Sequence, residues 1–236
     1  MRHDMSELSV DNALNENIPV QYRKGKASFL DIDVSVDPRV FIPRPETGVL
    51  VKVVCETCRK EGWDGPRILE LGTGSGIIPI SLARRLPGVR ITAVDISRDA
   101  LAVAADNINA FGVSGRIDLL ESDMFDSLGQ GYTEIFDVIV SNPPYVSEPD
   151  LARLDVWVKA EPEIALLSGD EGMDHLMIIA SRSRRYLKKG GMVAVEVGYD
   201  QAEKVKRAFR ENGLEEIASF RDEAGHERVI TGRKNG

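Results

Sequence analysis

Residues 139–148, with the sequence IVSNPPYVSE, begin as an apolar strand and end on side chains suited to a planar polar group. The carboxamide of Asn142 is followed by Pro143 and Pro144, which have no backbone N–H, and by the aromatic ring of Tyr145. Prolines commonly end strands, so a purely structural role would explain the same pattern. The functional alternative is that this strand end holds an amide-like substrate group, and the neighbouring motifs distinguish the two.

A glycine-rich turn precedes this stretch in the sequence LELGTGSGI, residues 69–77. Gly72, Gly74 and Gly76 allow a sharp turn and a close approach of the backbone to a ligand, and the next helix begins with N–H groups pointing at that ligand. The pattern departs from the nicotinamide fingerprint G-x-G-x-x-G, because Ile77 stands at its third glycine. Glu70, just before the turn, would repel a pyrophosphate and would suit a ligand with positive charge.

Two further acids end the next two predicted strands. Asp95 comes about 20 residues after the turn, where an acid can accept from two ribose hydroxyls. Asp123, in ESDMF, could accept from an adenine amino group, with Met124 and Phe125 supplying apolar contact. S-adenosylmethionine has a ribose, an adenine, a sulfonium and an ammonium but no phosphate, so we predict it as the cofactor. Solvated strand ends are the alternative explanation for both acids.

Three other residues complete the predicted cofactor site. Thr73 lies within the turn, Ile96 follows Asp95, and Asn142 stands at the next strand end.

Methyl transfer from sulfur requires a nucleophile aimed at the methyl group and protected from water. An amide or amino nitrogen attacks poorly because its lone pair is delocalised, so two acceptors on its two N–H groups would orient it. The Asn142 side-chain oxygen and the backbone carbonyl of Pro143, held by Pro144, supply two acceptors, and Tyr145 can stack on the planar group. We therefore predict Asn142, Pro143 and Tyr145 as catalytic residues for an NH₂ group on an sp² carbon, with no strong base.

The predicted strands and helices alternate along the chain, and this order determines where the candidate site residues lie in the fold. Such alternation predicts a mostly parallel sheet covered on both faces. The last two strands are joined too closely for a crossover helix and must pair antiparallel near an edge. The predicted strands are RILELG, VRITAVD, RIDLLESD, EIFDVIVSN, GMVAVEVG, LEEIASFRD and HERVITGR, and the predicted helices are GIIPISLARRLPG, SRDALAVAADNINAFG, residues 173–187 and DQAEKVKRAFRENG.

The N-terminal part carries a different pattern. In LDIDVSVD, residues 30–37, every second residue from Leu30 to Val36 is apolar, which predicts a half-buried strand. We predict that it pairs in a hairpin with PVQYRKG, residues 19–25, and that a helix follows from about residue 46 to 60, capped by Gly62. Residues 1–45 are accordingly predicted as an extension with a β-hairpin, and residues 46–236 as the catalytic domain.

Composition narrows the class of partner and compartment. The 236 residues contain 30 Lys and Arg against 38 Asp and Glu, a net charge of −8, which argues against nucleic acid as the main partner. No apolar run is long enough to cross a membrane and the N-terminus lacks a signal-peptide core, so we expect a cytoplasmic protein. Cys55 and Cys58 are predicted as ordinary buried or half-buried thiols, with a redox pair as the alternative, and no metal site is expected.

Six motifs occur together in one order: IPRPET, ILELGTGSGIIPISLA, VDIS, SNPPYV, EPEIAL and HERVITGR. From about residue 17 to the C-terminus the sequence resembles the release-factor glutamine methyltransferase (HemK-type) family. NPPY alone is shared with adenine-N6 DNA and some guanine-N2 RNA methyltransferases, and the motifs on either side make the resemblance more specific. It implies a class I, Rossmann-like α/β fold, with a mostly parallel seven-stranded sheet and an antiparallel last strand. It also implies N5-methylation of the glutamine in the Gly-Gly-Gln loop of peptide-chain release factors.

The resemblance also implies roles for single residues. Asn142 and Pro143 would hold the glutamine amide, with Pro144 and Tyr145 beside it, while Gly72, Gly74, Asp95 and Asp123 would hold the cofactor. Arg44 is a candidate lid residue in the substrate site, with a solvated arginine as the alternative. Glu161, with Pro162, is a candidate for the substrate entrance, or the two residues simply break a helix.

The sequence departs from the family pattern at three places. Gly48 stands where an acid is usual, and Ser168 stands in what is often a pair of glycines. IPRPET begins near residue 42, which leaves no room in this sequence for the helical N-terminal domain of typical members.

Two other functions are compatible with parts of the pattern. An amino-methyltransferase for adenine or guanine in nucleic acid would share NPPY, but it predicts a basic groove and a target-recognition segment. A non-catalytic cofactor-binding subunit predicts damage to NPPY or to the glycine turn, and both motifs are intact.

Overall fold

The computed structural model describes residues 17–236, and a seven-stranded sheet runs through its centre. A separate two-stranded hairpin lies beside it. The hairpin consists of β1 (Lys26–Phe29) and β2 (Ile32–Ser35), and the sheet consists of β3 (Arg67–Leu71), β4 (Arg90–Asp95), β5 (Ile117–Glu121), β6 (Phe136–Ser141), β7 (Leu187–Glu196), β8 (Glu215–Arg221) and β9 (Glu227–Arg233).

Eight α-helices accompany these strands in the described part of the chain. They are α1 (Val20–Lys24), α2 (Thr47–Lys60), α3 (Ile77–Arg85), α4 (Arg98–Ala110), α5 (Glu148–Leu151), α6 (Val156–Lys159), α7 (Asp174–Tyr186) and α8 (Ala202–Glu211). The predicted long helices and all seven sheet strands are confirmed to within a few residues. Ser97 caps α4 by accepting a hydrogen bond from the Ala100 N–H at 3.1 Å, as expected for a serine at that position.

The sheet has the order β5-β4-β3-β6-β7-β9-β8. Neighbours from β5 to β7 are parallel, and β9 runs antiparallel to β7 and β8, which confirms the predicted α/β fold class. The strand order reverses between β3 and β6, and ligands of open α/β sheets bind at such a reversal, beyond the carboxyl ends of the strands. Leu71 pairs with Ser141 there, so the glycine turn and Asn142 begin side by side.

The central strands are buried on both faces. Ile68 and Val138 join an apolar core that includes the hairpin, α2, α3 and α4. Leu69 and Ile139, which point the opposite way, join a second core with α7 and α8. This two-sided burial explains why the central strands read as continuous apolar runs.

The prediction for residues 19–25 was wrong, because this segment forms helix α1 and not a strand. Pro19 precedes the helix, and Gly25, in the left-handed conformation with φ +65°, ends it. The first hairpin arm is therefore β1. Leu30 was also wrongly placed on the buried face: it lies in the hairpin turn with φ +50° and is 54% exposed. Ile32 and the two valines after it are buried as predicted.

Among residues 17–236, no helix has the length and apolar character needed to cross a membrane. The division at residues 45 and 46 stays a prediction, since residues 1–16 lie outside the described part and the hairpin shares a core with the sheet.

Asn107 on α4 fastens the hairpin to the glycine turn. Its side-chain oxygen accepts from the Ser35 N–H at 2.9 Å, and its NH₂ group donates to the carbonyls of Ser35 and Ser75, both at 2.9 Å. The side chain is 2% exposed. One buried carboxamide thus satisfies three backbone groups of two separate segments.

We predict that Asn107→Ala lowers the free energy of unfolding by about 2–4 kcal/mol, because it leaves three buried backbone groups without partners. Asn109→Ala, on the exposed face of the same helix, is the matched control and should change it by less than about 0.5 kcal/mol. Urea unfolding followed by circular dichroism measures both. Equal stability of the two variants would contradict the role given to Asn107.

Candidate active site

A cavity of about 380 Å³ opens at the carboxyl ends of β3, β4 and β6. This volume lies in the range of small-molecule sites, about 300–1,000 Å³. Its walls come from the glycine turn, the residues that follow β4 and β5, and the NPPY segment. Parts of residues 39–47 and 154–166 complete them. Site residues on the wall are Arg44, Thr47, Gly72, Thr73, Gly74, Asp95, Ile96, Asp123, Met124, Asn142, Pro143, Pro144, Tyr145, Pro162 and His175.

Two glycines of the turn line the cavity, and the third packs against a helix. Gly72 and Gly74 line the cavity with φ +73° and +53°, a region that disfavours other residues. Gly76, predicted to bind the cofactor, instead faces α4, where an added Cβ would lie 3.3 Å from the Ala104 Cβ. The third glycine therefore permits close helix packing, as in dinucleotide-binding turns.

Glu70 lies beneath the turn and is fully buried, not on the cavity wall. Its Oε2 accepts from the Thr73 hydroxyl at 2.6 Å, whereas its Oε1 has no hydrogen-bond partner among the described residues. Burial raises the Glu70 pKa to about 8, and the Thr73 hydrogen bond opposes the rise. A buried carboxyl oxygen without a partner is costly, and a cation bound above the turn would favour the ionised form.

Asp95 both borders the cavity and holds the turn. Its carboxylate accepts from the Gly74 N–H at 2.8 Å and from the Ser97 N–H at 2.9 Å. Burial raises the Asp95 pKa, and these backbone hydrogen bonds act against the rise. Ile96 beside it is 47% exposed and presents an apolar surface to the cavity.

The end of β5 supplies the opposite wall. Asp123 is exposed and lines the cavity, together with Met124, whose φ of +46° is unusual for a residue other than glycine. The contact predicted for Phe125 was wrong: its ring is fully buried and stacks on Tyr186 at a centroid distance of 4.9 Å. His175 also reaches this wall, with its Nδ1 2.8 Å from the Ser168 hydroxyl, and burial lowers its pKa.

Asn142 has one half of its carboxamide occupied. Its NH₂ group donates to the Thr47 hydroxyl at 3.1 Å, while its oxygen has no donor among the described residues. Pro143 behind it is buried, and Pro144 and Tyr145 continue the wall. Because the β6 end and the glycine turn adjoin, the free acceptor lies next to the predicted cofactor site.

The backbone after Asn142 is fixed by several hydrogen bonds. The Tyr145 carbonyl accepts from the Gln201 side chain at 2.9 Å. Val146 donates to the Leu166 carbonyl at 2.8 Å and accepts from the Ser168 N–H at 2.9 Å. The Tyr145 hydroxyl lies 3.5 Å from Glu196 Oε1, and burial raises the Tyr145 pKa. These contacts hold the backbone at the end of the NPPY segment in place.

Arg44 lies at the cavity mouth, stacked 4.7 Å from the centre of the Phe41 ring and paired with Glu161. Glu161 is buried and also accepts from the Ile42 N–H at 2.9 Å. It does not line the cavity, whereas Pro162 does. The predicted entrance role of Glu161 is thus indirect, since it holds Arg44 and the adjoining backbone.

Sequence reasoning missed Thr47, Glu196 and His175. Thr47 lies within IPRPET, yet no local pattern relates it to Asn142. Glu196 could have been found from the sequence, because a glutamate within the apolar strand GMVAVEVG is expected to be buried. A charged residue is rarely buried without a partner. His175 showed none.

The other candidates behave as ordinary core residues. Cys55 and Cys58 are buried, and burial raises the Cys58 pKa to about 12. Within residues 17–236, no group of three or more His, Cys, Asp or Glu side chains is arranged to hold a metal.

The sheet order and the acid-flanked glycine turn agree with a match of residues 46–159 to the family model described as Methyltransferase small domain. The chain is therefore a class I methyltransferase, which uses S-adenosylmethionine. It is 39% identical to the release factor glutamine methyltransferase of Gloeobacter violaceus, over 92% of this chain and 75% of that protein. It is 37% identical to the one of Lactococcus lactis, over 94% and 80%. The chain belongs to the release factor glutamine methyltransferase family.

Solved structures support the fold. A methyltransferase from Pyrococcus furiosus superposes with a TM-score of 0.62 at 17% identity, covering 87% of this chain and 90% of that one. The 16S rRNA methyltransferase RsmC of Thermus thermophilus, solved with AdoMet and guanosine, gives 0.62 at 20%, covering 89% and 50%. At these identities the likeness concerns the fold alone.

We predict that S-adenosylmethionine binding at pH 7 releases up to about one proton per site, because its positive charge lowers a Glu70 pKa that starts near 8. Calorimetry in two buffers of different ionisation enthalpy counts these protons. Glutamine at this position has no such proton to lose, so Glu70→Gln should release fewer protons on binding than the wild type. Equal release by the wild type and this variant would contradict the interaction.

We predict that Asp95→Ala weakens S-adenosylmethionine binding by roughly 1.5–3 kcal/mol, the range for hydrogen bonds to charged groups. It should also lower the free energy of unfolding, by about 1–2 kcal/mol, because two backbone N–H groups lose their acceptor. Asp106→Ala, an exposed acid in the interior of α4, is the control and should change neither. An unchanged dissociation constant for Asp95→Ala would assign Asp95 to the turn alone.

Proposed function

We propose that this chain transfers the methyl group of S-adenosylmethionine to the side-chain nitrogen of a protein glutamine. We further propose that this glutamine lies in the Gly-Gly-Gln loop of a peptide-chain release factor. The observation that carries the proposal is the Asn142 carboxamide, whose NH₂ group is bound to Thr47 while its oxygen is free beside the cofactor turn. The relatives named release factor glutamine methyltransferase support the choice of glutamine.

A primary amide has two N–H donors and matches two acceptors. The Asn142 oxygen accepts one N–H, and the backbone carbonyl of Pro143 accepts the other. These two hydrogen bonds turn the nitrogen towards the cofactor and restrict its rotation, which is the positioning that a poor nucleophile requires. The Tyr145 ring covers the amide plane and excludes water.

The bound cofactor would supply a methyl group on a positively charged sulfur, and transfer of this group to the glutamine nitrogen would release a neutral thioether. The methylated nitrogen then loses one proton to solvent. This sequence agrees with a site in which the groups around Asn142 are hydrogen-bond acceptors and no strong base is required.

The residues at the mouth fit a protein substrate. Arg44 borders the cavity, and its pairing with Glu161 fixes its position there. The net charge of −8 offers no general attraction for nucleic acid. A release-factor substrate would place the reaction in the cytoplasm.

We also propose that residues 1–45 form an extension with a β-hairpin and that residues 46–236 carry the catalysis.

We predict that Asn142→Ala lowers kcat by on the order of a hundredfold or more, as loss of one aimed polar group in an active site does. Its dissociation constant for S-adenosylmethionine should be nearly unchanged, because we assign the Asn142 side chain to the substrate, although the sequence also predicted it in the cofactor site. Asn142→Asp should retain partial activity, since a carboxylate can still accept an N–H. Mass spectrometry of a release factor incubated with each variant measures methylation, and Asn109→Ala is the control.

Loss of cofactor affinity and of activity together in Asn142→Ala would contradict the substrate role of Asn142. Methylation of adenine or guanine by a wild type that leaves release factors unmodified would overturn the glutamine proposal and favour a nucleic-acid amino-methyltransferase.

A further inference from the structure

His175 lies in the cavity wall but has no role in the mechanism above. It is the second residue of α7 and shares the wall with Asp123 and Met124, at the end predicted to hold adenine. Its Nδ1 lies 2.8 Å from the Ser168 hydroxyl oxygen, and its backbone N–H donates to the same oxygen at 3.1 Å. The other ring nitrogen, Nε2, has no hydrogen-bond partner among the described residues, so it is left to the cavity.

The Ser168 hydroxyl determines which ring nitrogen of His175 carries the proton. A serine hydroxyl has one proton to donate and two lone pairs that accept. The His175 backbone N–H takes one lone pair, and Ser168, which is 1% exposed, has no other side-chain hydrogen bond among the described residues. The hydroxyl proton therefore goes to Nδ1, because the opposite arrangement leaves a buried O–H group without an acceptor. A neutral imidazole with an acceptor at Nδ1 carries its own proton on Nε2.

The neutral form of the ring is the one present at pH 7. Burial lowers the pKa of His175 from its ordinary value near 6.5, and the charges of Asp123 and Asp174 oppose this change. Nε2 thus presents an N–H donor to the cavity. The carboxylate of Asp123 has no hydrogen-bond partner among the described residues and presents an acceptor on the same wall.

A donor beside an acceptor matches the edge of an adenine ring. The adenine amino group donates, and a ring nitrogen lies on either side of it, N1 on one edge and N7 on the other, each of which accepts. Hypoxanthine and guanine carry an oxygen where adenine carries this amino group. A donor–acceptor pair on the wall would therefore favour adenine over either base.

We propose that His175, held in its Nε2–H form by Ser168, is a cofactor-binding residue that donates to a ring nitrogen of the adenine of S-adenosylmethionine, while Asp123 accepts from the adenine amino group. The inference goes beyond the proposed function, because it concerns the cofactor and holds whichever NH₂ group the enzyme methylates. It includes the role predicted for Asp123, which is tested separately below.

The first test measures binding of S-adenosylhomocysteine, the demethylated cofactor, by calorimetry. His175→Phe keeps a flat ring and removes the donor, so the affinity should fall by roughly three- to tenfold. His175→Gln keeps an N–H donor at a similar distance from the backbone and should recover most of the affinity. His226→Phe, the same change at an exposed histidine outside the cavity wall, is the matched control. An unchanged affinity in His175→Phe, or equal losses in the Phe and Gln variants, would overturn the proposal.

Two analogues of S-adenosylhomocysteine identify the atom that His175 binds. In one a C–H group replaces N1 of the adenine, and in the other a C–H group replaces N7, so each lacks one acceptor. For one of the two the wild type should bind more weakly than it binds the parent compound, and His175→Phe should then cost less than about twofold more. If His175→Phe weakens the parent compound and both analogues by the same factor, the histidine acts through packing alone and the proposal is overturned.

A third analogue tests the acceptor. S-inosylhomocysteine has an oxygen in place of the adenine amino group, so the Asp123 carboxylate has no proton to accept from it. The wild type should bind this compound at least about tenfold more weakly than S-adenosylhomocysteine. Asp123→Asn, which can turn an NH₂ group towards the oxygen, should narrow the difference. Equal affinities of the wild type for the two compounds would overturn the donor–acceptor pair.

A spectroscopic measurement on the wild type covers the case in which His175→Phe does not fold. The chain has three histidines, and ¹⁵N spectra of their rings show which nitrogen carries the proton, with the His175 signals assigned by their loss in His175→Gln. In the free protein the proton should lie on Nε2, and this signal should move when S-adenosylhomocysteine is added. A proton on Nδ1, or an unmoved signal at saturation, would overturn the proposal. Failure of the wild type to methylate any release factor would overturn the proposed function and leave these binding results standing.

Discussion

The parallel pairing of Leu71 in β3 with Ser141 in β6 is the constraint on which the whole site depends. It joins the two strands at which the sheet order reverses, and the Ser141 hydroxyl donates to the Leu71 carbonyl at 2.7 Å. Gly72 and Asn142 are the next residues on each strand, so the cofactor turn and the substrate acceptor are neighbours through backbone pairing alone. A shift of one residue in this register would turn Asn142 to the opposite face of the sheet.

Two buried carboxyl groups sit under the two halves of the site. Glu70 lies beneath the turn that faces the cofactor, and Glu196 lies 3.5 Å from the Tyr145 hydroxyl, with pKa values raised by burial to about 8 and about 7. Each has one oxygen without a partner among the described residues. Such groups are costly to bury, and the charge of Glu70 lies where it can act on a cationic cofactor.

The structural features that can be predicted from the sequence are those that depend on residues close together along the chain. Apolar runs, glycines with positive φ and strand-end acids place the sheet, the turn, Asp95 and NPPY. Short segments were decided by details that the pattern did not resolve, as in α1, where Pro19 and Gly25 favour a helix over a strand. Contacts across the chain had no local signature: Thr47 binds Asn142 across 95 positions, and Arg44 binds Glu161 across 117. The positioning of the catalytic group therefore became visible only in the folded structure.

The central claim is that the free oxygen of Asn142 accepts a hydrogen bond from the NH₂ group of a protein glutamine. The most direct measurement is transfer of labelled methyl from S-adenosylmethionine to purified release factors, DNA and RNA in one competition, followed by tandem mass spectrometry of the labelled product. The account predicts that the label appears on a release factor, on the side-chain nitrogen of its Gly-Gly-Gln glutamine, and is absent when that glutamine is replaced. Label on a nucleobase, or on a release factor that lacks this glutamine, would contradict it.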